Sequence, residues 1–359
     1  MDHPPKRLLR LDGLRGVAAC IVSLIFHARL LFGGQENPLD GLPVIMWFQT
    51  WGWSMVDLFF VLSGFVFAHC YLDRWRMRSG TTASGFAVSR FARLWPLHAI
   101  TLAFTIAVTI NFPDTTWCNS LLSLLMLHVF VADPTHTLNS PAWSLSVEVL
   151  CYAVFCLAAI AGTRFLQAAM LVAMVFGVYS IAEFGVWNSL VGRGFLGFFG
   201  GVLLCQSKGL ADRIPNLVLA PLAALPFIIV PDGAWLILAI LIAWPAAILL
   251  ALRSEIMEAR PLVWLGERSY AIYLLHVPIY IMSWAILSGL TTPTQTLGLI
   301  AVLPTWAVII LAADFLYRRV ERPYQKAILE RFERRALNAP KLATVLRETD
   351  RRFSVVEGD

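Results

Sequence analysis

Two ionisable side chains of types that catalyse proton transfer lie deep inside long apolar segments of this chain. His27 lies near the end of the apolar run 11–32, and Glu148 lies within the run that begins near residue 142. Ionisable groups are costly to bury in a membrane and therefore usually mark a functional site. Histidine titrates near neutral pH, and a neighbouring carboxylate can hold its ring in one tautomer. The two residues therefore predict a general base with an orienting partner.

Several charged residues suit the binding of an anion. The run that contains His27 also holds Asp12 and Arg15, and Arg90 and Arg93 are spaced to share one face of a helix. Guanidinium groups bind phosphate oxygens in a planar, two-pronged geometry, so this pair could hold a pyrophosphate. Arginines also accumulate on the cytoplasmic side of membrane proteins and contact lipid headgroups. The residues alone leave both interpretations open.

Six short segments follow one another along the chain in a distinctive order. They are Leu-Asp-Gly-Leu-Arg-Gly at 11–16, Val-Asp-Leu-Phe-Phe-Val-Leu-Ser-Gly-Phe at 56–65, Arg-Phe-Ala-Arg-Leu-Trp-Pro at 90–96, the stretch 139–148 that ends in Trp-Ser-Leu-Ser-Val-Glu, Leu-Gly-Glu-Arg-Ser-Tyr-Ala-Ile-Tyr-Leu-Leu-His at 265–276, and Glu-Arg-Pro at 321–323. In this order they resemble the acyltransferase-3 family, integral membrane enzymes that move acyl groups from acyl-coenzyme A to extracytoplasmic glycans and other acceptors. The resemblance covers nearly the whole chain.

The resemblance implies a membrane-bound O-acyltransferase that moves acetyl or another short acyl group from cytoplasmic acyl-coenzyme A to a hydroxyl of an extracytoplasmic glycan or glycoconjugate. His27 and Glu148 would be its catalytic residues. Donor or substrate would contact a larger set: Asp12, Arg15, Asp57, Arg90, Arg93, Trp143, Ser144, Tyr270 and His276. One position departs from the family pattern, since Ser89 stands where another arginine is usual.

The spacing between Arg15 and His27 also departs from the family pattern. Eleven residues separate them, whereas the family motif has ten, which would bring both side chains to one helix face. In a regular helix the extra residue would turn His27 about 120° away from Arg15. A π-bulge would absorb it, and Gly16 and Ser23 offer places for one. We therefore predict a π-bulge between the two residues, with a regular helix as the alternative.

The composition indicates a polytopic membrane protein. Of 359 residues, 58% are hydrophobic and 14% charged, against about 25% charged residues in soluble chains. Runs of roughly 20 apolar residues can cross a bilayer. The candidate spans are 11–32, 52–72, 94–112, 142–161, 164–182, 190–206, 214–230, 234–252, 268–288 and 297–317. The expected fold is all-α, with about ten transmembrane helices.

The apolar stretch 118–131 decides the predicted topology. If this stretch is re-entrant or interfacial, nearly all basic residues and both termini fall on the cytoplasmic side; if it crosses, they divide between the two sides. We therefore predict that it does not cross. The expected domains are a membrane acyltransferase domain, 1–325, and a charged cytoplasmic tail, 326–359.

Several expectations concern partners. We expect acyl-coenzyme A as co-substrate, no permanently bound cofactor, no metal site, no nucleic-acid partner, and a multi-pass location in the plasma (inner) membrane, with the bilayer as partner. The formal charge of +5 comes from basic residues at the ends of the spans and in the tail, which fits membrane orientation better than nucleic acid. A transporter or flippase of an anionic or sugar-bearing substrate is the alternative function. The acceptor and the oligomeric state stay open.

Overall fold

A computed structural model describes residues 8–32, 43–72, 80–130, 138–228, 233–290 and 295–335 of the protein. Every element of regular secondary structure in these ranges is helical, and most of the helices are long and apolar. This confirms the all-α polytopic class predicted from the composition. The N-terminal residues 1–7, the basic positions 74–78, His136 and the end of the tail from 336 lie outside the described ranges.

Eleven helices of the described chain build the fold. They are α1 (Leu9–Leu31), α2 (Ile45–Tyr71), α3 (Ala83–Val108), α4 (Trp117–Leu124), α5 (Ser140–Ala161), α6 (Thr163–Asn188), α7 (Leu190–Gln206), α8 (Asn216–Phe227), α9 (Gly233–Arg253), α10 (Arg260–Leu290) and α11 (Thr296–Arg335). Eight of them are long and apolar enough to cross a membrane, while α7 and α8 are shorter apolar helices. These ten coincide with the ten predicted runs. The number of crossings and the side of each terminus stay predictions.

The segment predicted to be re-entrant or interfacial forms only a short helix. The eight residues of α4 rise about 12 Å, less than half of a hydrocarbon core of about 30 Å. A turn follows in which Met126 has a positive φ of 57°, and a short 3-10 helix, His128–Phe130, comes next. Such a segment is too short to cross the membrane as one helix. This agrees with the topological prediction that it does not cross.

Two buried histidines hold this short segment against the neighbouring helices. His98 on α3 contacts the carbonyl oxygen of Ser123 through Nε2, at 2.8 Å, and since a carbonyl only accepts, Nε2 carries the proton. The ring of His128 contacts the Ser146 hydroxyl at 3.3 Å. Burial lowers the pKa of His128 to about 4, so the ring is neutral at pH 7. The His128 contact therefore stabilises the fold without a buried charge.

Glycines let two pairs of helices approach until their backbones touch. A Cβ atom on Gly266 of α10 would lie 1.9 Å from the carbonyl oxygen of Asp12 on α1. A Cβ atom on Gly64 of α2 would lie 1.8 Å from the carbonyl oxygen of Phe198 on α7, and one on Gly201 would lie 2.0 Å from that of Val61. Small residues at such crossings are typical of helix packing in membranes. The two pairs, α1 with α10 and α2 with α7, carry many of the side chains described below.

The last helix continues without interruption past the predicted domain boundary. α11 runs from Thr296 to Arg335, and residues 317–321 within it form one π-helical turn, Tyr317–Glu321. The boundary at 325 therefore falls inside a helix. The division into a membrane domain and a tail stays a prediction.

Candidate active site

A cavity lies between helices α1, α2, α3, α5 and α10. Its walls carry apolar side chains, most of them from α2, together with a concentrated set of polar ones. The polar lining consists of Arg15, Ser63, Arg90, Arg93, Ser144, Glu148, Tyr152, Ser269, Tyr270 and Tyr273. A concave site with convergent polar groups is the usual form of a ligand-binding pocket. The structure thus brings six of the sequence-predicted site residues, Arg15, Arg90, Arg93, Ser144, Glu148 and Tyr270, to one cavity.

Three guanidinium groups line the cavity. Within the described ranges, no carboxylate forms an ion pair with Arg15, Arg90 or Arg93, although other arginines of the protein are paired. Arg15 and Arg93 lie close enough to repel each other, and Asp12 lies close enough to attract Arg15. Unpaired guanidiniums facing a cavity create a binding site for an anion.

Arg90 is held in the cavity wall by an aromatic ring and a hydroxyl group. Its guanidinium lies over the ring of Phe67, 5.0 Å from the centroid, and its Nε–H donates to Ser89 Oγ at 3.3 Å. Ser89 in turn donates to the carbonyl oxygen of Phe86 at 2.8 Å. The residue that replaces the usual arginine of the family therefore orients the next arginine.

Glu148 faces this cavity, and one of its oxygen atoms accepts hydrogen bonds from two hydroxyl groups. Ser63 Oγ donates to Glu148 Oε1 at 2.7 Å, and the Tyr152 hydroxyl donates to the same atom. The ring of Tyr152 is stacked on that of Phe67, with 4.2 Å between centroids. Glu148 is therefore held by α2 and by its own helix, α5, and it shares the cavity with the arginines.

The end of α1 contains the predicted π-bulge. Residues Ile21–Phe26 form a π-helical turn between the α-helical part of α1 and a 3-10 helix that begins at His27. The π-bulge prediction is confirmed, and Ser23 lies within the turn. The extra residue is absorbed before His27, but this does not bring His27 into the cavity with Arg15, because its ring contacts the neighbouring helix α10.

His27 contacts a second histidine, His276 of α10. The Nδ1 atom of His27 lies 3.0 Å from His276 Nε2 and 3.0 Å from the carbonyl oxygen of Val22. The His276 ring is completely buried. The sequence analysis predicted a contact between His276 and substrate, whereas the structure places the ring beside His27 and outside the cavity lining.

The structure does not join His27 to Glu148. No hydrogen bond of the described residues connects them: Glu148 contacts Ser63 and Tyr152, and the partners of His27 are a carbonyl group and His276. The expectation that Glu148 orients His27 is therefore corrected, because α5 directs the carboxylate toward the arginines. The catalytic roles of both residues stay predictions.

Tyr273 is the link between the cavity and the histidine pair. It lines the cavity, and the centroid of its ring lies 5.9 Å from that of His276. Its hydroxyl donates to the carbonyl oxygen of Pro141 at 2.9 Å and lies 3.0 Å from Ser144 Oγ. Tyr273 therefore adjoins both the cavity and His276.

Asp57 and Trp143 are predicted site residues that the structure places elsewhere. Asp57 is completely buried and forms a two-pronged ion pair with Arg193, at 3.0 and 2.8 Å. The Arg193 guanidinium lies over Trp53 and Trp143, 4.7 and 5.1 Å from the ring centroids. Neither Asp57 nor Trp143 lines the cavity. Their polar and aromatic groups contact Arg193, and their role in binding donor or substrate stays a prediction.

Sequence reasoning missed four residues that the structure places at or near the site. Ser63 lies in a segment quoted for the resemblance, and Tyr152 follows Glu148 by one helical turn, so both had a signal. Tyr273 had the weaker signal of proximity to His276 along the chain. Glu321, also in a segment quoted for the resemblance, is buried at 6% exposure and lies near Arg15 and Arg93, although it is 228 residues from Arg93 in the sequence.

Comparisons with known proteins agree with the class that this fold defines, a helical membrane protein, and show that it is an enzyme. Residues 8–313 match the model of a family described as "Acyltransferase domain", and the chain belongs to this acyltransferase-3 family. The protein is therefore a membrane O-acyltransferase.

Three relatives illustrate the range of the family. The chain is 35% identical over 177 residues to "Protein 2 in picA locus" of Rhizobium radiobacter, covering 43% of this chain and 83% of that protein. It is 26% identical to "Acyltransferase MdmB" of Streptomyces mycarofaciens, covering 95% of this chain and 97% of that protein. It is 23% identical to "Peptidoglycan O-acetyltransferase OatA" of Listeria monocytogenes, covering 88% of this chain and 55% of that protein. No solved structure matches the chain.

Proposed function

We propose that the protein transfers a short acyl group from cytoplasmic acyl-coenzyme A to a hydroxyl group of an extracytoplasmic glycan or glycoconjugate. The observation that carries the donor assignment is the cavity with three guanidinium groups, Arg15, Arg90 and Arg93, that have no carboxylate partner among the described residues. Coenzyme A carries phosphate groups, which such guanidiniums bind with charge-assisted hydrogen bonds. The apolar remainder of the cavity suits the pantetheine arm and a short acyl chain.

The proposed reaction uses His27 as general base. As the acceptor hydroxyl oxygen attacks the thioester carbonyl carbon, its proton passes to His27 Nε2. Collapse of the tetrahedral intermediate breaks the carbon–sulfur bond, and the proton on His27 passes to the departing coenzyme A thiolate. An ester and free coenzyme A result. Glu148, held by Ser63 and Tyr152 in the cavity wall, offsets part of the positive charge of the arginines and orients the donor.

The acceptor class is inferred from one relative and from the predicted topology. The Listeria protein is named as a peptidoglycan O-acetyltransferase, so its acceptor is a glycan. In this chain the end of α1 that carries His27 is predicted to approach the outer face of the membrane, where such acceptors lie. Mass spectrometry of surface glycans from cells with and without the protein would test this assignment, and unchanged acylation would contradict it.

Replacing a cavity arginine should weaken donor binding. We expect Arg15→Ala and Arg93→Ala each to raise the Kd for coenzyme A by about tenfold or more, since a hydrogen bond to a charged group contributes about 1.5–3 kcal/mol. Isothermal titration calorimetry on the purified protein in detergent would measure the Kd for coenzyme A. The control is Arg319→Ala, which removes an exposed arginine of α11 and should leave the Kd unchanged. Equal affinities for all three variants would contradict the donor site.

The predicted topology can be tested independently of the chemistry. A reporter fused after residue 136 should be extracytoplasmic, and one fused after residue 325 should be cytoplasmic, because that arrangement places the basic loops inside the cell. Paired alkaline phosphatase and fluorescent protein fusions would show on which side of the membrane each of the two positions lies. A cytoplasmic signal at 136 would place the acceptor on the wrong side for the proposed function.

A further inference from the structure

The buried ring of His276 has one tautomer that satisfies its neighbours. Its Nδ1 lies 3.3 Å from the carbonyl oxygen of Ile272, one turn earlier on α10. A carbonyl oxygen only accepts hydrogen bonds, so Nδ1 carries the proton and Nε2 of a neutral ring presents a lone pair. This places a hydrogen-bond acceptor 3.0 Å from His27 Nδ1.

The tautomer of His27 follows from its two contacts. Its Nδ1 faces the carbonyl oxygen of Val22 and the Nε2 lone pair of His276, each at 3.0 Å. Both partners accept, so the proton of a neutral His27 ring lies on Nδ1. The lone pair then lies on Nε2, the atom that the proposed function uses as the base. The tautomer is thus determined by the contacts on the other side of the ring.

Contacts with α10 also hold the π-helical turn that presents Val22. The Tyr280 hydroxyl donates to the carbonyl oxygen of Ser23 at 3.0 Å, and Trp306 Nε1–H donates to the Tyr280 oxygen at 3.0 Å. Tyr280 lies one helical turn after His276, so both contact α1 from one face of α10. Two successive turns of α10 therefore support the turn of α1 that ends at His27.

We propose that His276 is a positioning residue that holds His27 in the tautomer with Nε2 free to accept a proton. It acts through His27 and does not contact donor or acceptor, in contrast to the substrate contact predicted from the sequence. This inference rests on the proposed role of His27 as the base. The nearest precedent in chemical terms is a carboxylate that orients a catalytic histidine; here a second imidazole supplies the acceptor.

Two substitutions of His276 separate positioning from packing. His276→Gln keeps an acceptor oxygen near the position of Nε2, whereas His276→Phe keeps a ring of similar shape without any acceptor. We expect kcat to fall about 10²-fold in His276→Phe, within the range of general-base catalysis, and less than tenfold in His276→Gln. The KM values for acyl-coenzyme A and acceptor should stay within about twofold. The control is His69→Phe on α2, outside the cavity lining, which should leave kcat unchanged.

Each alternative result has a definite meaning. A raised KM with unchanged kcat in both variants would overturn the proposal in favour of substrate binding, and equal losses of kcat would make His276 a packing residue. If His276→Phe fails to fold, nitrogen NMR of ¹⁵N-histidine-labelled protein in lipid decides instead: His27 should be protonated on Nδ1 in the wild type and also in His276→Gln, whose amide oxygen keeps an acceptor beside it. A wild-type ring protonated on Nε2 would overturn the proposal.

Loss of kcat in His27→Ala together with full kcat in His276→Phe would reject this inference alone. Full activity of His27→Ala would reject the assignment of His27 as the base, on which this inference rests.

Discussion

The variant His27→Ala should lose transfer activity by about 10²-fold or more while it still binds coenzyme A. General-base catalysis contributes about 10²- to 10⁴-fold, and the variant removes the proposed base. Donor affinity should persist because the three guanidiniums lie in the cavity, whose lining does not include His27. Coenzyme A release would measure turnover, and calorimetry on the same preparation would measure affinity.

A matched control is available for this variant. His69 lies near the end of α2, outside both the cavity lining and the histidine pair, so His69→Ala should retain turnover. Turnover of His27→Ala close to that of the wild type would remove His27 from the mechanism. Loss of coenzyme A binding together with turnover would instead assign His27 to the donor site.

Removing Arg193 should cause the largest loss of stability. The variant Arg193→Leu leaves the Asp57 carboxylate completely buried without its partner, and it also removes the guanidinium that packs on Trp53 and Trp143. Breaking a buried ion pair from one side typically costs about 3–5 kcal/mol. Unfolding titrations with sodium dodecyl sulfate in mixed micelles would measure the difference from the wild type.

Two further variants separate the ion pair from general effects of charge. Lys208→Ala removes one partner of a half-exposed pair with Asp212, for which about 0.5 kcal/mol or less is expected. The double variant Asp57→Leu with Arg193→Leu should recover much of the lost stability, because it leaves no unpaired buried charge. If Arg193→Leu is no less stable than Lys208→Ala, the buried pair does not stabilise the fold.

The features predicted correctly depend on residues close together in the chain. Hydropathy over roughly 20 residues is enough to recognise a span, so the all-helical membrane class follows from the composition and the apolar runs. The π-helical turn in α1 was also predictable, because one residue too many between Arg15 and His27 turns His27 about 120° away from Arg15 in a regular helix. Both inferences use only the geometry of a single helix.

The sequence could not predict which helix each buried polar group faces. Asp57 is a carboxylate inside an apolar segment, as expected of a functional residue. Its partner is Arg193, which lies 136 residues further along the chain. The ring of Trp143 contacts the same guanidinium. Periodicity along one helix shows that a side chain is buried, but it does not show which neighbour it meets.

The sequence by itself determined the membrane class, the family resemblance and the residue types able to transfer a proton or bind phosphate. The tertiary structure decided the grouping of those residues: Glu148 lies with the cavity arginines, and His27 lies with His276. The physical reason is that these contacts depend on the order and rotation of helices around the cavity. Close backbone approaches at Gly64 and Gly266 set that arrangement, and it joins residues more than 80 positions apart.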